Sequence, residues 1–272
     1  MRILNNYLVF NGINTSAYGI RISGERTFGA PERDEKTVSV PGKNGDVILD
    51  NGRWKNRTMV YECSIPKNFA ENFSSFRAAI MASPGYQRLE DTYHPEEFYL
   101  ARISGALEPD VNIPMNAGRF TLTFDRKPQR YLKRGEPEVS GVSPLYILNP
   151  TLYASRPIIR VLCGSTNRIK QLAVNSNTYD TGIVVYPYPV LEEALSEEDF
   201  AAAVASGLYV DIDCDIGEAY GVYNSGGVAT MINLNAAISL ASGTDFPKLI
   251  PGENKINTTG DGLVITPRWY TL

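Results

Sequence analysis

Two stretches in the first half of the chain alternate apolar and polar residues with a period of two. In MVYECSI the residues Tyr61, Cys63 and Ile65 share one side, and in RFTLTF the residues Phe120, Leu122 and Phe124 do; both spacings predict strands with one buried face. Between them NFAENFSSFRAAIMASPG changes period. Phe69, Phe73, Phe76 and Ile80 recur at helical spacing, and Ser83-Pro84-Gly85 ends the run, which predicts one helix lying across a sheet. Upstream, VSVPGKNGDVILDNGRWKN places Pro41-Gly42, Asn44-Gly45 and Asn51-Gly52 around the short apolar run Val47-Ile48-Leu49. This is the pattern of a projecting hairpin or arm.

A polar, proline-containing segment, Lys133 to Pro144, reads as a boundary. Beyond it NPTLYASRPIIRVLC, RIKQLAV, GIVVY, GLYVDIDC and AYGVY are strand-like, and NKINTTGDGLVITPRWY reads as strand, Gly-Asp-Gly turn, strand. One helix is expected among them, with Ser196 as N-cap, Glu197 to Asp199 in its first turn and Gly207 after its end. Short strands, many turns and few helices predict a mainly β protein of two β-sandwich domains, residues 1–135 and 145–272. The final residues belong either to the second domain or back on the first.

With 26 basic and 30 acidic residues and no basic run interleaved with aromatics, the chain lacks the footprint of a nucleic-acid binder. No signal peptide is read at the start, and no apolar run has membrane-spanning length. Cys63, Cys163 and Cys214 are odd in number and set in strand-like segments, so reduced buried thiols are expected rather than disulfides.

Candidate chemistry is sparse. His94, the only histidine, stands near Glu90, Asp91, Glu96 and Glu97 in GYQRLEDTYHPEEFYLA. A general base there needs a poised carboxylate and a pocket, whereas Pro95 between Tyr93 and a following strand is enough to make a turn. Asp211, Asp213 and Asp215 invite a calcium site, but Ile216 and Val222 stand where the loop pattern requires glycine and glutamate. A strand is expected instead, its aspartates solvated and Ile212, Cys214 and Ile216 turned inward. No P-loop, dinucleotide fingerprint, nucleophile elbow or zinc-protease motif occurs. Trp54 and Trp269 suit packing better than sugar stacking. No catalytic, cofactor or metal residue is assigned.

Six segments, in order, resemble the distal tail protein family of long, non-contractile-tailed phages and prophages of Gram-positive hosts. They are SVPGKNGDVILDNGRWKN, the helix ending in PGYQRLEDTYHPEEFYLA, GRFTLTFDRKPQRYL, NPTLYASRP, FPKLIPGENKI and ITPRWYTL. The resemblance implies a virion tail-tip protein without enzymatic activity: a homohexameric ring joining the tail tube protein to a tail-tip or baseplate protein, and in some members to receptor-binding proteins. It also implies a first domain with a helix and an extended hairpin, and a galectin-like second domain. The inter-subunit arm is then expected at Pro41, Gly42, Asn44, Gly45, Asp50, Asn51, Trp54 and Asn56, with Trp54 as its anchor. Two other classes compete with this reading. A carbohydrate-binding module would contact the host wall through the second domain, yet residues 145–272 hold no histidine and only Trp269 as tryptophan. A glycosidase would need two of the clustered carboxylates facing across a cleft.

Overall fold

The structure, a computed structural model, describes residues 6–23, 29–162, 170–175, 182–185, 187–205, 207–225, 228–240, 245–259 and 262–272. Cys163 and the Gly260-Asp261 part of the expected closing turn lie outside them. The chain divides into two compact units, Met1–Tyr131 with Leu272, and Leu132–Thr271. It is mainly β throughout.

In the first unit the strands are β1 (Leu8–Phe10), β2 (Ile13–Asn14), β3 (Arg21–Ser23), β4 (Arg33–Val38), β5 (Val47–Trp54) and β6 (Arg57–Ile65). Helix α1 (Phe69–Met81) follows, then β7 (Gln87–Asp91), β8 (Glu97–Ile103), β9 (Asp110–Asn112), β10 (Ala117–Arg126) and β11 (Arg130–Leu132). The main sheet runs β2-β1-β7-β8-β10-β6-β3, with β9 added beside β10, and β4-β5 form a separate two-stranded sheet. Asn11 and Gly12, both at positive φ (48° and 78°), make the tight turn between β1 and β2.

The sheet is rolled. On a flat sheet β6 and β7 would stand about 14 Å apart, three strand spacings. Yet the Tyr61 hydroxyl donates to Asp91 Oδ2 at 2.6 Å, and the Phe10 and Phe124 rings meet at 5.2 Å. The roll encloses the alternate residues that the period-two pattern picked out, and Tyr61, Cys63, Ile65, Phe120, Leu122 and Phe124 are all buried. Helix α1 contributes Phe69, Phe73, Phe76 and Ile80 to the same core. Its start is held by Asn116, which accepts from Phe69 N through its carbonyl and from Ala70 N through its side chain. Gly118 makes room for the Phe69 ring, because a Cβ there would lie 2.5 Å from it.

The second unit holds β12 (Val139–Gly141), β13 (Leu145–Asn149), β14 (Ile158–Leu162), β15 (Lys170–Val174) and β16 (Ile183–Val185). Helices α2 (Pro187–Ala194) and α3 (Glu197–Ala205) come next, then β17 (Tyr209–Asp213), β18 (Glu218–Ser225), β19 (Val228–Asn233), β20 (Ile238–Leu240), β21 (Gly252–Thr258), β22 (Gly262–Thr266) and β23 (Tyr270–Thr271). Two antiparallel sheets, β12-β22-β14-β17-β18-β19 and β13-β21-β15-β16-β20, close over one core that includes Ile159, Val161, Leu172, Val185, Ile256 and Ile265. This is a sandwich. Ser196 caps α3 by accepting from Asp199 N at 3.1 Å, and Gly207 follows the helix at φ 81°.

Side-chain amides hold the irregular stretches of this unit. Asn149 donates to Tyr153 O and Leu249 O and accepts from Thr151 N and Oγ1, each at 2.9 Å. Ser155 pairs with Leu249 through the backbone, and its hydroxyl donates to Pro267 O at 2.7 Å. NPTLYASRP, FPKLIPGENKI and ITPRWYTL, distant in sequence, thus meet in space. Trp269 is buried among them, and its backbone passes so close to Gly135 that a Cβ there would sit 2.4 Å from Trp269 N.

Candidate assembly arm

Strands β4 and β5 pair from Val38↔Val47 through Thr37↔Ile48, Lys36↔Leu49 and Glu35↔Asp50 to Arg33↔Trp54, with a register shift between Arg33 and Glu35. The connecting loop contains the turn Val40-Pro41-Gly42-Lys43. Lys43 N donates to Val40 O at 3.1 Å, and Gly42 at φ 80° takes the third position, where a side chain is disfavoured. Gly45 also has positive φ, 81°, and Asn44 is exposed beside it. Asn51-Gly52 is not the turn its dipeptide suggests. It lies within β5 at the register shift, with Gly52 at φ 72°, so the signal marks a bulge.

The arm is stiffened by ion pairs along its base. Lys55 pairs with Glu32 at 3.1 Å, Arg53 with Asp34 at 2.6 Å, and Arg33 with Asp50 through Nε at 3.0 and 3.1 Å and through Nη2. The Asp50 carboxylate also accepts from Gly52 N at 2.7 Å, which seats the bulge. Hydrogen bonds from Arg33 and then from Gly52 N hold the Asp50 carboxyl below its ordinary pKa; Arg53, with Asn51 adding, does the same for Asp34. Arg33 is correspondingly raised by its bond to Asp50. Its guanidinium lies 5.0 Å from the centre of the Trp54 ring, so Trp54 is half-buried under Arg33. Asn56 closes the base by donating to Tyr86 Oη and to Asp125 Oδ2, the latter also bound by Arg102 Nε at 2.9 Å. The expected residues therefore fall into three places: Pro41, Gly42, Asn44 and Gly45 at the tip, Asp50, Asn51 and Trp54 in β5, and Asn56 at the root.

Near the tip the two faces differ. Val38, Val47 and Leu49 share one face with Lys36, while Ile48 and Thr37 share the other with Glu35 and Asp50. Leu49 and Ile48 are 51% and 60% exposed, in contrast to the buried apolar residues of the unit's core.

The other candidates are structural. Asp91 accepts from Tyr93 N, His94 N and His94 Nδ1 at 2.9, 2.8 and 3.2 Å and from the Tyr61 hydroxyl, so it organises the turn in which His94 is buried. Glu90 pairs with Arg88, and Glu97 with Arg130 at 2.6 Å. The solvated aspartate face expected at DIDCDIG requires correction. Asp211 and Asp213 are 4% and 7% exposed, bound by Arg160 and Arg268 respectively through paired contacts of 2.7 and 2.8 Å. Burial opposes ionisation of Asp213, but Arg268 outweighs it and the pKa is lowered. The strand ends at Asp213, so Ile216 sits in the following turn, 63% exposed rather than inward. Burial pushes the Cys63 and Cys214 thiols up to about 12, which makes them inert at neutral pH.

The arm is thus a separate sheet of two strands, exposed at its tip and braced at its root. No protein-family model matches the sequence, and no curated protein does either. Solved structures do. The chain is similar to the Dit protein of phage SPP1, described as a paradigm of the hub adsorption apparatus in phages infecting Gram-positive bacteria, with a TM-score of 0.66 at 11% identity over 96% of this chain and 97% of that one. It is also similar to a chain of the phage P2 baseplate in its activated conformation with Ca, with a TM-score of 0.53 at 9% identity over 96% of both chains. The fold is that of phage hub and baseplate proteins, which agrees with the distal tail resemblance carried by the six sequence segments.

Proposed function

We propose that this chain is a structural protein of a phage tail tip, a homohexameric ring that joins the tail tube to the tip or baseplate and its host-adsorption proteins. The first unit builds the ring and the second carries the outward contacts. The observation that carries this reading is the match in fold to a hub protein over nearly the whole of both chains. Its support within the chain is the β4–β5 arm, which exposes apolar residues that a neighbouring subunit would cover. Head-to-tail contacts generate rings when the rotation closes, and an arm reaching the next subunit supplies such a contact. The mechanism is assembly, with no turnover.

The carbohydrate-binding alternative loses Trp269 as a stacking platform in the second unit, since that residue is 5% exposed. Mass measured over a concentration series, with negative-stain images of the largest species, tests the proposal. A six-membered ring with a central hole is expected. A strict monomer at every concentration, in the presence of its cognate tail tube protein as well, would refute the ring.

A further inference from the structure

Opposite the root of the arm, the far end of the β6–β10 ladder carries a groove. The ladder runs from Arg57↔Arg126, beside the arm, to Ile65↔Gly118, about 26 Å away at strand rise. There the β9–β10 hairpin runs on past the end of β6, beside two adjoining hollows of about 440 and 910 Å³ that share Ser64, Asp110 and Arg119. One is apolar along Val111, Ile113 and Met115, which are 41%, 83% and 70% exposed. The other is acidic: among its described lining residues Glu62, Glu108 and Asp110 stand against Arg119, with Arg21 on β3 paired across from Ser64.

We infer that this groove is the seat for the arm of a second copy of the chain, which enters with the face bearing Val38, Val47, Leu49 and Lys36. The inference rests on the ring proposed above and specifies what the arm binds. Charge selects the face. The described lining of the groove carries three carboxylates against one guanidinium; with Asp34 neutralised by Arg53 and Asp50 by Arg33, the face of Val38, Val47 and Leu49 is left with Lys36, whereas the opposite face is left with Glu35. Apolar residues match as well, because valines and a leucine meet the exposed Val111, Ile113 and Met115. The seat belongs to another subunit, since in its own chain the arm leaves Leu49 51% exposed and the groove's Ile113 83% exposed. Donor and acceptor lie at opposite ends of one ladder, so each copy offers a free arm and a free groove. That arrangement is heterologous and propagates until it closes.

Cysteines introduced at Leu49 and Met115, in a Cys163→Ser background, test the contact without disturbing either core. Under mild oxidation the double variant should give a ladder of covalent multimers, and each single variant should not. A second pair, Leu49 with Ile113, guards against a poor geometry at one position. Absence of a ladder from both pairs overturns the inference. Charge supplies an independent readout. Lys36→Glu should raise the concentration at half-assembly by about tenfold or more, and adding Asp110→Lys should restore it, because like charges in an interface cost enough to shift affinity by that factor. Equal assembly by Lys36→Glu, Asp110→Lys and wild type overturns the seat. Deletion of residues 35–52 then separates the two ideas: lost assembly keeps the arm and rejects only this groove, whereas intact assembly rejects the arm itself.

Discussion

Replacing Trp54 with alanine should leave the chain folded and dismantle the ring. Within one chain the ring is half-buried, stacked 5.0 Å from the Arg33 guanidinium at the root of a sheet that is separate from the main one. An exposed cation–π contact is worth about 0.5–1 kcal/mol, and the partial burial adds about 1 kcal/mol. Because the two-stranded arm lies outside the rolled core, most of that loss loosens the arm locally. The global unfolding midpoint should therefore move by no more than about 3 °C. Assembly responds differently. On the proposed role of Trp54 as anchor of the arm, truncating a large interface aromatic costs about 2–4 kcal/mol, or roughly 30- to 1000-fold in affinity for each contact. In a closed ring every subunit makes that contact, so the defect is repeated at each interface. Thermal denaturation of dilute protein reads the first quantity, and sedimentation over a concentration series reads the second. An assembly midpoint within about threefold of wild type would show that Trp54 is not an anchor, and a fall in Tm of 10 °C or more would place it in the folding core instead.

Gly135→Ala should destabilise the second unit by about 3 kcal/mol, since the new Cβ meets the Trp269 backbone at 2.4 Å. It should also break the Arg268 N–Gly135 O bond; guanidinium melts followed by tryptophan fluorescence measure the loss, and wild-type stability would refute the close packing. Acid should open the arm where alkali does not. Asp34 and Asp50 have lowered pKa values in the folded chain, so their pairing contributes above the ordinary aspartate pKa and is lost as pH falls through the lowered values. Carboxyl ¹³C titration should give midpoints below the ordinary aspartate value for both, and ordinary midpoints would contradict the ladder.

Much of the core was legible in the sequence because period is a local property. The alternation in MVYECSI and RFTLTF and the helical recurrence of Phe69, Phe73, Phe76 and Ile80 each state which face is buried, and those faces are buried. What depended on a partner elsewhere in the chain was not legible. Asp211 and Asp213 read as solvated because their cations, Arg160 and Arg268, are supplied by other segments. The first strand of the arm, RDEKTV, is too charged to be read as a strand until its ladder with β5 is seen. Helix α2 was hidden by Pro187 and Pro189, which sit in its first turn, where a missing donor costs nothing. Arg126 was missed as well. It is 1% exposed, stacked 4.7 Å from the centre of the Tyr99 ring, and burial lowers its pKa; an arginine between a strand and a loop carries no sequence mark of that fate.

The segments that carried the family resemblance need an explanation, because the overall identity to a protein of the same fold is only 11%. In the second unit they are the places where irregular backbone is buried and must be satisfied by particular side chains. Asn254 shows why the choice of residue is narrow. It is fully buried, donates to Ile250 O and Gly252 O at 2.8 and 3.0 Å, and accepts from Ile250 N and Asn175 Nδ2 at 2.8 and 2.9 Å. An amide alone offers two donors and an acceptor in that shape. Asn254→Asp keeps the shape and replaces both donors by an oxygen facing two carbonyls. Burial beside those carbonyls must raise the pKa of the new carboxyl, so its protonated form is the one the fold tolerates. The variant should lose about 3 kcal/mol or more at neutral pH and recover part of it as pH falls towards 5, while wild type shows no such gain. Urea melts at pH 7 and pH 5 decide the matter: equal losses at both would mean that the site is roomy enough for water to replace the amide, and the geometric reason for the resemblance would fall with it.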